Sequence, residues 1–429
     1  MKIIPSTEES RNKSGNDLPI PDAIASDPGK LGWMAGFPPP PDRRIYFFDG
    51  SFYQFPALRW SFSNMRQLMP TVNVSRGLEA PILFAREHSP HIDNLEFIPL
   101  GSHQPITWQE SLAVNYTDGV VVLHKGCIVY ERYFGALKED GQHAAMSVTK
   151  SLIGTLGALM VAEGELDPNA TITNYVPELK ASGFGDATVR QVLDMTAAIK
   201  FSEDYSDPDA EIWSHADAGN PLPKPKGYRG PGSYFEFLQT VEKLGNHGEA
   251  FGCRTVNTDV LGWIIARVTG CSVAQVLSDR IWRHLDAEQD AYFNVDSIGT
   301  PFAGGGFNSG LRDLARFGEM MRKGGWFNGK QVLPEAVVDD IRRGGNQMVF
   351  AKAGYQLLKG WSYHNMWWIT HNLHGAFCAR GVHGQVLYID PKAEMVIARF
   401  ASHPSAHNAA NDPTSLPAYH ALALHLLDA

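Results

Sequence analysis

Met146-Ser147-Val148-Thr149-Lys150-Ser151-Leu152 opens an apolar run with helical spacing, which predicts a helix from Ser147 to Gly164. Ser147 and Lys150 are three residues apart, so the lysine amine lies over the serine hydroxyl on such a helix. A hydroxyl is inert at neutral pH unless a base takes its proton, and a neutral, partly desolvated lysine one turn away can do so. The free amides and the positive dipole end of the first turn also favour a developing oxyanion. The stretch is therefore typical of an activated serine.

The Ser-x-x-Lys spacing is not specific by itself. Ser10 and Lys13 have the same spacing in a polar stretch that offers neither a helix nor a pocket. Ser147 could also be no more than a helix N-cap with a surface lysine behind it. The rest of the chain has to separate these interpretations.

Strand-like runs lie on both sides of a helical middle section. Asp118–Leu123 and Cys127–Tyr133 flank the turn His124-Lys125-Gly126 and predict a β-hairpin before the helix. The later predicted strands are Trp361–Trp368, Val382–Asp390 and Met395–Ala401. The remaining predicted helices, taken from apolar periodicity, are Val189–Met195, Tyr234–Leu244, Thr258–Val268, Val273–His284, Leu311–Lys323 and Leu416–Leu427.

This order predicts an α/β protein in which one lobe is built from two chain segments. We expect an antiparallel sheet flanked by helices in residues 101–165 and 290–429, and a mainly helical lobe in residues 166–289. Residues 1–100 are rich in proline, including Pro38-Pro39-Pro40-Pro41, and predict an irregular N-terminal arm packed on the body. The cleft between the two lobes is the natural place for a site.

The composition argues against several function classes. The chain has 429 residues, of which 44% are hydrophobic and 19% charged, and its net charge of -9 gives no basic surplus for nucleic acid. The apolar stretch Ser151–Ala162 is too short to cross a bilayer, and Met1–Asp17 lacks the pattern of a secretory signal. The four cysteines are scattered, as in a reduced protein. We therefore expect a cytoplasmic protein without a nucleic-acid or membrane partner, and the sequence leaves a homodimer open.

Eight segments around this pair occur in the same order as in a known family. They are Met146–Leu152, Glu163–Pro168, Tyr175–Leu179, Gln191–Met195, Glu203–Tyr205, Asn257–Leu261, Arg312–Arg316 and Gly381–Gln385. On these segments the chain resembles the serine β-lactamase and penicillin-binding-protein superfamily, and within it the class C β-lactamase-like esterases and amidases. The resemblance covers the chain from roughly residue 110 to the end and implies a β-lactamase/transpeptidase-like fold.

The resemblance also implies a role for each residue of the pair. It makes Ser147 the acylated nucleophile and Lys150 its activating base, with the backbone amides of Ser147 and Val382 as the oxyanion hole. Val382 is expected on a strand that lines the cleft, where alternation would turn His383 away from the reacting bond. Such donors matter because negative charge develops on the carbonyl oxygen as the tetrahedral intermediate forms.

The third residue that the family normally uses, a tyrosine in the loop before the Asn257–Leu261 segment, is missing. Counting back from Asn257 places Cys253 at that position. A thiol beside an ammonium has a lowered pKa, so Cys253 could relay the proton in a Ser-Lys-Cys site. Alternatively, Cys253 is inert filler and Lys150 acts alone. A third interpretation is an inactive protein that is kept for binding.

Three further residues are expected to face the substrate. The resemblance places Tyr205 and Thr255 where relatives contact substrate, and His215 lies beside Ala216. Ala216 stands where a related hydrolase carries an aspartate for the amine of its substrate, which implies a neutral and more apolar pocket. The aromatic residues that could line this pocket, or belong to the core, are Trp213, Trp367, Trp368 and Phe377.

The sequence predicts no cofactor and no metal. His371, His374 and His383 have no carboxylate or cysteine at a matching spacing, and the serine mechanism needs no metal. The Lys-Thr-Gly strand typical of β-lactamases reads Ala379-Arg380-Gly381 here, so β-lactamase activity itself is not expected. We expect a hydrolase that cleaves a small-molecule amide or ester through an acyl-enzyme. Acyl transfer from the same intermediate and a non-catalytic binding protein are the alternatives.

Overall fold

The computed structural model describes residues 20–428, so the Ser10–Lys13 pair and the Met1–Asp17 segment lie outside the described residues. The strands of three or more residues are β1 (Thr71–Val74), β2 (Thr117–His124), β3 (Cys127–Tyr133), β4 (Gln142–Ala144), β5 (Ala291–Asn294), β6 (Phe307–Gly310), β7 (Ser362–His364), β8 (Trp367–Ile369), β9 (Phe377–Gly381), β10 (Gln385–Asp390) and β11 (Met395–Ala401). The α-helices of seven or more residues are α1 (Trp108–Val114), α2 (Val148–Ala162), α3 (Glu211–Ala218), α4 (Thr255–Thr269), α5 (Val273–Arg280), α6 (Leu311–Arg322), α7 (Glu335–Arg343) and α8 (Asp412–Leu427).

Seven strands form an antiparallel sheet in the order β7-β8-β9-β10-β11-β2-β3. The sheet joins two distant chain segments, because β2 and β3 precede α2 whereas the other five strands follow α7. The predicted β2–β3 hairpin is confirmed, with Lys125 and Gly126 in its turn at positive φ. Consecutive residues of β2 are buried, so both faces of the sheet are covered here. Helix α6 packs on β2, β10 and β11, while α1 and α8 contact each other and the same sheet.

A second, four-stranded sheet in the order β1-β5-β6-β4 lies against the start of α2. Its strand β6 donates the Phe307 N–H to the Thr149 hydroxyl at 3.2 Å. Strand β1 comes from the N-terminal segment, which is thus joined to the body by regular pairing with β5. The same segment forms a second apolar cluster with the body, built mainly from Ile45, Phe47, Phe52, Leu58, Phe62 and Met65.

Helix α2 begins at Val148 with Ser147 as its N-cap, and it ends at Ala162. The helix predicted from Ser147 to Gly164 is therefore confirmed to within one or two residues. Its middle approaches the β7–β8 turn so closely that a Cβ at Gly154 would lie 2.2 Å from the Asn365 carbonyl oxygen. The Ser151 hydroxyl donates to the Met366 carbonyl at 2.6 Å. These contacts fix the position of α2 against the edge of the main sheet.

Several predicted elements are wrong in their limits, and for three of them the backbone shows the reason. The strand predicted from Val382 to Asp390 starts only at Gln385, because Val382–Gly384 forms a 3-10 turn with two residues at positive φ. The strand predicted from Trp361 to Trp368 is broken into β7 and β8 by a turn at positive φ. The helix predicted from Tyr234 to Leu244 ends at Leu238, because the backbone carbonyls of residues 241 and 242 bond instead to residues 183 and 200.

Helix α4 crosses the helical middle section and packs on α2 and α5. It ends at Gly270, which has the positive φ of a left-handed cap. Within the described residues, no single helix has both the length and the apolar composition to cross a bilayer. Helix α4 and the segment Val273–His284 reach that length and composition only when taken together, and the pair is bent by 73°. The helices and the main sheet together confirm the predicted α/β class, an antiparallel sheet flanked by helices.

Candidate active site

Ser147 and Lys150 are in direct contact at the start of α2. Met146, just before them, has a φ of 47°, a conformation that residues other than glycine rarely adopt, so the chain turns sharply into the helix. Lys150 is 2% exposed, and its Nζ lies 2.5 Å from Ser147 Oγ and 2.7 Å from the Gly304 carbonyl oxygen. No carboxylate of residues 20–428 forms an ion pair with this amine. The polar contacts of the lysine are therefore a hydroxyl and a carbonyl.

A hydrogen bond from Gly304 to helix α4 holds this residue in place beside Lys150. Asp259 on α4 accepts the Gly304 N–H with Oδ1 at 3.0 Å, and its Oδ2 lies 2.8 Å from His215 Nε2. Both members of the Asp259–His215 pair are buried. Residue 304 has to be a glycine, because a Cβ there would lie 2.3 Å from the methyl carbon of Thr255. Asp259 thus anchors the backbone of Gly304, the residue whose carbonyl accepts a hydrogen bond from the lysine amine.

The N–H groups of Ser147 and Val382 have no acceptor within the part of the chain that the structure describes. The two lie near each other, since a Cβ on Gly381 would be 3.0 Å from Ser147 N. The expectation that Val382 lies on a strand is wrong, because the strand β9 ends at Gly381 and Val382 opens the following turn. Leaving the strand frees the Val382 N–H from ladder pairing, as an oxyanion donor requires.

His383, the next residue in the turn, has all of its polar groups bonded. Its N–H donates to Ala406 at 3.1 Å, and its carbonyl accepts the His403 N–H at 3.1 Å. Its Nδ1 lies 2.7 Å from the His403 carbonyl oxygen, and its Nε2 lies 3.0 Å from the Tyr53 hydroxyl. Because Nδ1 donates to a carbonyl, Nε2 accepts and the Tyr53 hydroxyl donates. These bonds hold the turn that carries Val382.

Burial lowers the pKa of His383 to about 4, which predicts a pH dependence of stability. An unfolded histidine titrates near ~6.5, so between about pH 6.5 and 4 the unfolded state binds a proton that the folded state does not. The free energy of unfolding is therefore highest above about pH 6.5 and falls by roughly 2–3 kcal/mol as the pH drops to 4.5. We expect His383→Gln to flatten this loss in urea unfolding at pH 7.5 and 4.5.

The matched control for this prediction is His103→Gln, because His103 is exposed. This variant should keep the full acid-side loss of the parent protein. If the free energy of unfolding falls equally steeply with pH in both variants, the buried imidazole of His383 is not the source of the acid-side loss.

A cavity of about 1010 Å³, including its open mouth, lies over Ser147. The N-terminal segment closes part of it with Phe47, Phe52, Tyr53, Met65 and Met69. Among the described residues that line this cavity, none is Asp, Glu, Lys or Arg. The walls are therefore apolar, and their polar side chains are hydroxyl, amide and imidazole groups.

Most of the predicted site residues line this cavity. The residues that it brings together are Ser147, Tyr205, Trp213, His215, Ala216, Thr255 and Val382. Tyr205 packs edge-on against Trp213, with ring centroids 5.8 Å apart. The other aromatic candidates lie in the hydrophobic core instead, namely Trp367, Trp368 and Phe377.

The chain is similar in sequence to known proteins over most of its length. Residues 114–419 match the family described as Beta-lactamase. The chain belongs to the beta-lactamase family. It is 36% identical over 355 residues to 6-aminohexanoate-dimer hydrolase of Paenarthrobacter ureafaciens, and the alignment covers 82% of this chain and 88% of that protein.

Two solved structures have a similar fold. A Bacillus anthracis protein assigned as a 6-aminohexanoate-dimer hydrolase has a TM-score of 0.79 and 33% identity, over 88% of this chain and 96% of that chain. A family VIII carboxylesterase has a TM-score of 0.56 and 16% identity, over 79% of this chain and 100% of that chain, and shows the fold alone. As a member of the family with these relatives, the chain is a serine hydrolase.

Cys253 is the residue that the resemblance predicts at the position of the family's usual tyrosine. Its loop is held by the Gly252 N–H, which donates to the Met195 carbonyl at 2.9 Å. The thiol is half-buried, and within the described residues it neither lines the cavity nor forms a hydrogen bond with Lys150 or Ser147. The expectation that the pKa of Cys253 is lowered overall is wrong, because the effect of burial is larger than that of the ammonium. Burial raises the pKa of Cys253 to about 11, and the positive charge of Lys150 offsets only part of that rise.

Glu203 and Tyr53 are among the residues of the site that sequence patterns do not predict. The Glu203 carboxylate accepts the backbone N–H of Thr255, and it adds to the effect of burial in raising the pKa of the Tyr205 hydroxyl. Tyr53 reaches His383 across 330 positions of sequence. The one local signal is the position of Glu203 two residues before Tyr205, whereas no local pattern indicates a contact as distant as that of Tyr53.

Proposed function

We propose that this beta-lactamase family hydrolase cleaves a small, uncharged amide or ester through an acyl-enzyme on Ser147. The observation that carries the proposal is the distance of 2.5 Å between Lys150 Nζ and Ser147 Oγ. It is supported by the free N–H groups of Ser147 and Val382, which belong to residues that line the same cavity. A base, a nucleophile and two oxyanion donors are the parts that acyl transfer needs.

In the first step, the amine of Lys150 accepts the Oγ proton as Oγ attacks the substrate carbonyl carbon. The charge that develops on the carbonyl oxygen is stabilised by the N–H groups of Ser147 and Val382, and loss of one such donor raises the barrier by about 3 kcal/mol. The C–N or C–O bond then breaks, and the leaving group departs with a proton. Water then attacks the acyl carbon and gives a proton to Lys150, which passes it to Ser147 Oγ as the bond between Oγ and the acyl carbon breaks and the acid is released.

We assign Cys253 to the relay that delivers the leaving-group proton, in place of the tyrosine usual in the family. With a pKa of about 11, the thiol keeps its proton at neutral pH, so it can donate to a leaving amine but cannot serve as the base. The base itself is then Lys150 alone.

Cys253→Ala should therefore affect amides and activated esters differently. An alkyl amide needs a protonated leaving group, so we expect its kcat to fall by about 10-fold to 100-fold. Nitrophenolate leaves without a proton, so turnover of a nitrophenyl ester should change by less than about 3-fold. Steady-state kinetics on both substrates with one common acyl group measures the difference.

The matched variant is Cys253→Tyr, which restores the family's usual donor and should recover part of the amide turnover. If Cys253→Ala is as active as the parent protein on both substrates, Cys253 is filler. The thiol then takes no part in the reaction.

The charge of the cavity walls indicates the substrate class. The related Paenarthrobacter enzyme is named for the dimer of 6-aminohexanoate, an amino acid. In this chain Ala216 stands where a related hydrolase carries an aspartate for the amine, and the cavity presents no acidic side chain. A charged amine would lose its hydration here without gaining a partner. We therefore propose an acyl group that is apolar and uncharged.

The test compares anilides of hexanoic acid and 6-aminohexanoic acid, which differ in one ammonium group. We expect kcat/KM to favour the hexanoyl anilide by about 10-fold or more, because the ammonium is desolvated without compensation. Ala216→Asp should narrow this gap, whereas Ala216→Asn, of similar size but without charge, should keep it. Equal kcat/KM values for the parent protein would overturn the proposed substrate class, and no turnover of any anilide or ester would favour a binding protein.

A further inference from the structure

Another cavity, with charged and polar residues in its walls, lies between the main sheet and the start of α8. It shares no lining residue with the active-site cavity. Its walls include Arg380 on β9, Arg399 on β11, and Asn411, Asp412 and Tyr419 at and within α8. All five residues are more than nine-tenths buried. We propose that this cavity binds a small monovalent anion of the size of chloride. The proposal does not depend on the proposed substrate or mechanism.

The first argument is an uncompensated charge. Arg380 forms an ion pair with Asp412, so these two charges cancel. Arg399 is 4% exposed and donates from Nε to the Gly384 carbonyl at 3.1 Å and from Nη1 to the Ser415 hydroxyl at 2.9 Å. Within residues 20–428 no carboxylate pairs with Arg399. A buried charge normally has a counter-charge, so the wall is short of one negative charge.

The second argument is a set of unpartnered polar atoms in the same place. Both side-chain polar atoms of Asn411 and the hydroxyl of Tyr419 are buried without a hydrogen-bond partner. A Cβ on Gly384 would lie 3.3 Å from Asn411 Oδ1 and 3.5 Å from Arg399 Nη2, so both side chains reach the space beside Gly384. The Tyr419 ring faces the Arg399 guanidinium, with 5.6 Å between its centre and Cζ. Buried polar groups are almost always bonded, so a missing acceptor accounts for the two donors, the Asn411 amide nitrogen and the Tyr419 hydroxyl.

The donors favour an anion over a neutral ligand. The amide of Asn411, the phenol of Tyr419 and the guanidinium of Arg399 all offer N–H or O–H groups. Asn411 is also the N-cap of the 16-residue helix α8, whose positive dipole end favours negative charge. Water could accept these hydrogen bonds but would leave the charge of Arg399 unbalanced. One monovalent anion satisfies both requirements.

The site is linked to the turn that carries Val382. Arg380 lies two residues before Val382, and Arg399 holds the carbonyl of Gly384, two residues after it. An anion that fixes the two arginines therefore fixes both ends of this turn.

The experiment measures thermal unfolding of the full chain in sodium gluconate and in sodium chloride at one ionic strength. Replacing gluconate by chloride should raise Tm by about 2–4 °C, because the ion binds the folded state alone. Bromide soaked into crystals should give an anomalous peak within hydrogen-bond distance of Arg399 and Tyr419. Equal Tm values in the two salts, or water alone at this position in the bromide crystals, would overturn the proposal.

Two variants separate a bound ion from a general salt effect. Asn411→Asp supplies a carboxylate at the site, so it should fold and lose the chloride response. Tyr419→Phe removes one donor from the wall of the cavity, so it should weaken the chloride response. A full chloride response in Asn411→Asp would place the effect elsewhere and overturn the proposal.

Discussion

Ser147→Ala should lower kcat/KM by about 10⁴-fold or more, the largest effect of any single substitution in the site. Without Oγ no acyl-enzyme forms, and only binding and the oxyanion donors remain to accelerate attack by water. The fold should survive, because Ser147 is the N-cap of α2 but makes no side-chain capping hydrogen bond. Thermal unfolding and steady-state kinetics on the hexanoyl anilide test both parts.

Ser10→Ala is the matched control, since Ser10 has the same spacing to a lysine. It should leave kcat/KM unchanged. Ser147→Ala with turnover within 10-fold of the parent protein would exclude Ser147 as the nucleophile.

Lys150→Met should lower kcat/KM by about 10³-fold to 10⁴-fold. The methionine side chain has a similar length and fills the buried space, but it cannot take the Oγ proton. Lys150→Arg provides the sharper comparison, because a guanidinium keeps the positive charge and does not act as a base in proteins. We expect both variants to be inactive at neutral pH while the far-UV circular dichroism stays that of the parent protein.

If Lys150→Arg keeps more than about a tenth of the parent turnover, the role of Lys150 is electrostatic and not that of a base. If neither Lys150→Met nor Lys150→Arg folds, Lys150→Gln takes their place. Its amide can still donate to the Gly304 carbonyl, so this variant should be folded and inactive. An active and folded Lys150→Gln would contradict the proposed base.

The features that sequence predicts here are those with local causes. The helix at Ser147 follows from apolar spacing and a terminal glycine, and the β2–β3 hairpin follows from β-branched runs around Lys125-Gly126. The contact between Ser147 and Lys150 is a consequence of helix geometry, so three residues of spacing suffice to predict it.

The features that sequence does not predict depend on distant contacts. The turn at Val382–Gly384 has left-handed residues because the rest of the fold holds His383 from three sides, including Tyr53. The pKa of Cys253 depends on how deeply its loop is buried, and a motif cannot report burial. Asp259, Gly304 and His215 come from three separate segments, and they meet only after the helical section has packed on the sheet.

Labelling with a fluorophosphonate, which reacts with an activated serine, directly tests whether Ser147 is the nucleophile. Intact-mass measurement of the parent protein should show one adduct per chain, and peptide mapping should locate it on Ser147. Ser147→Ala should remain unlabelled, while Ser10→Ala should be labelled like the parent protein. An unlabelled parent protein, or an adduct on any serine other than Ser147, would contradict the assignment of Ser147 as an activated nucleophile.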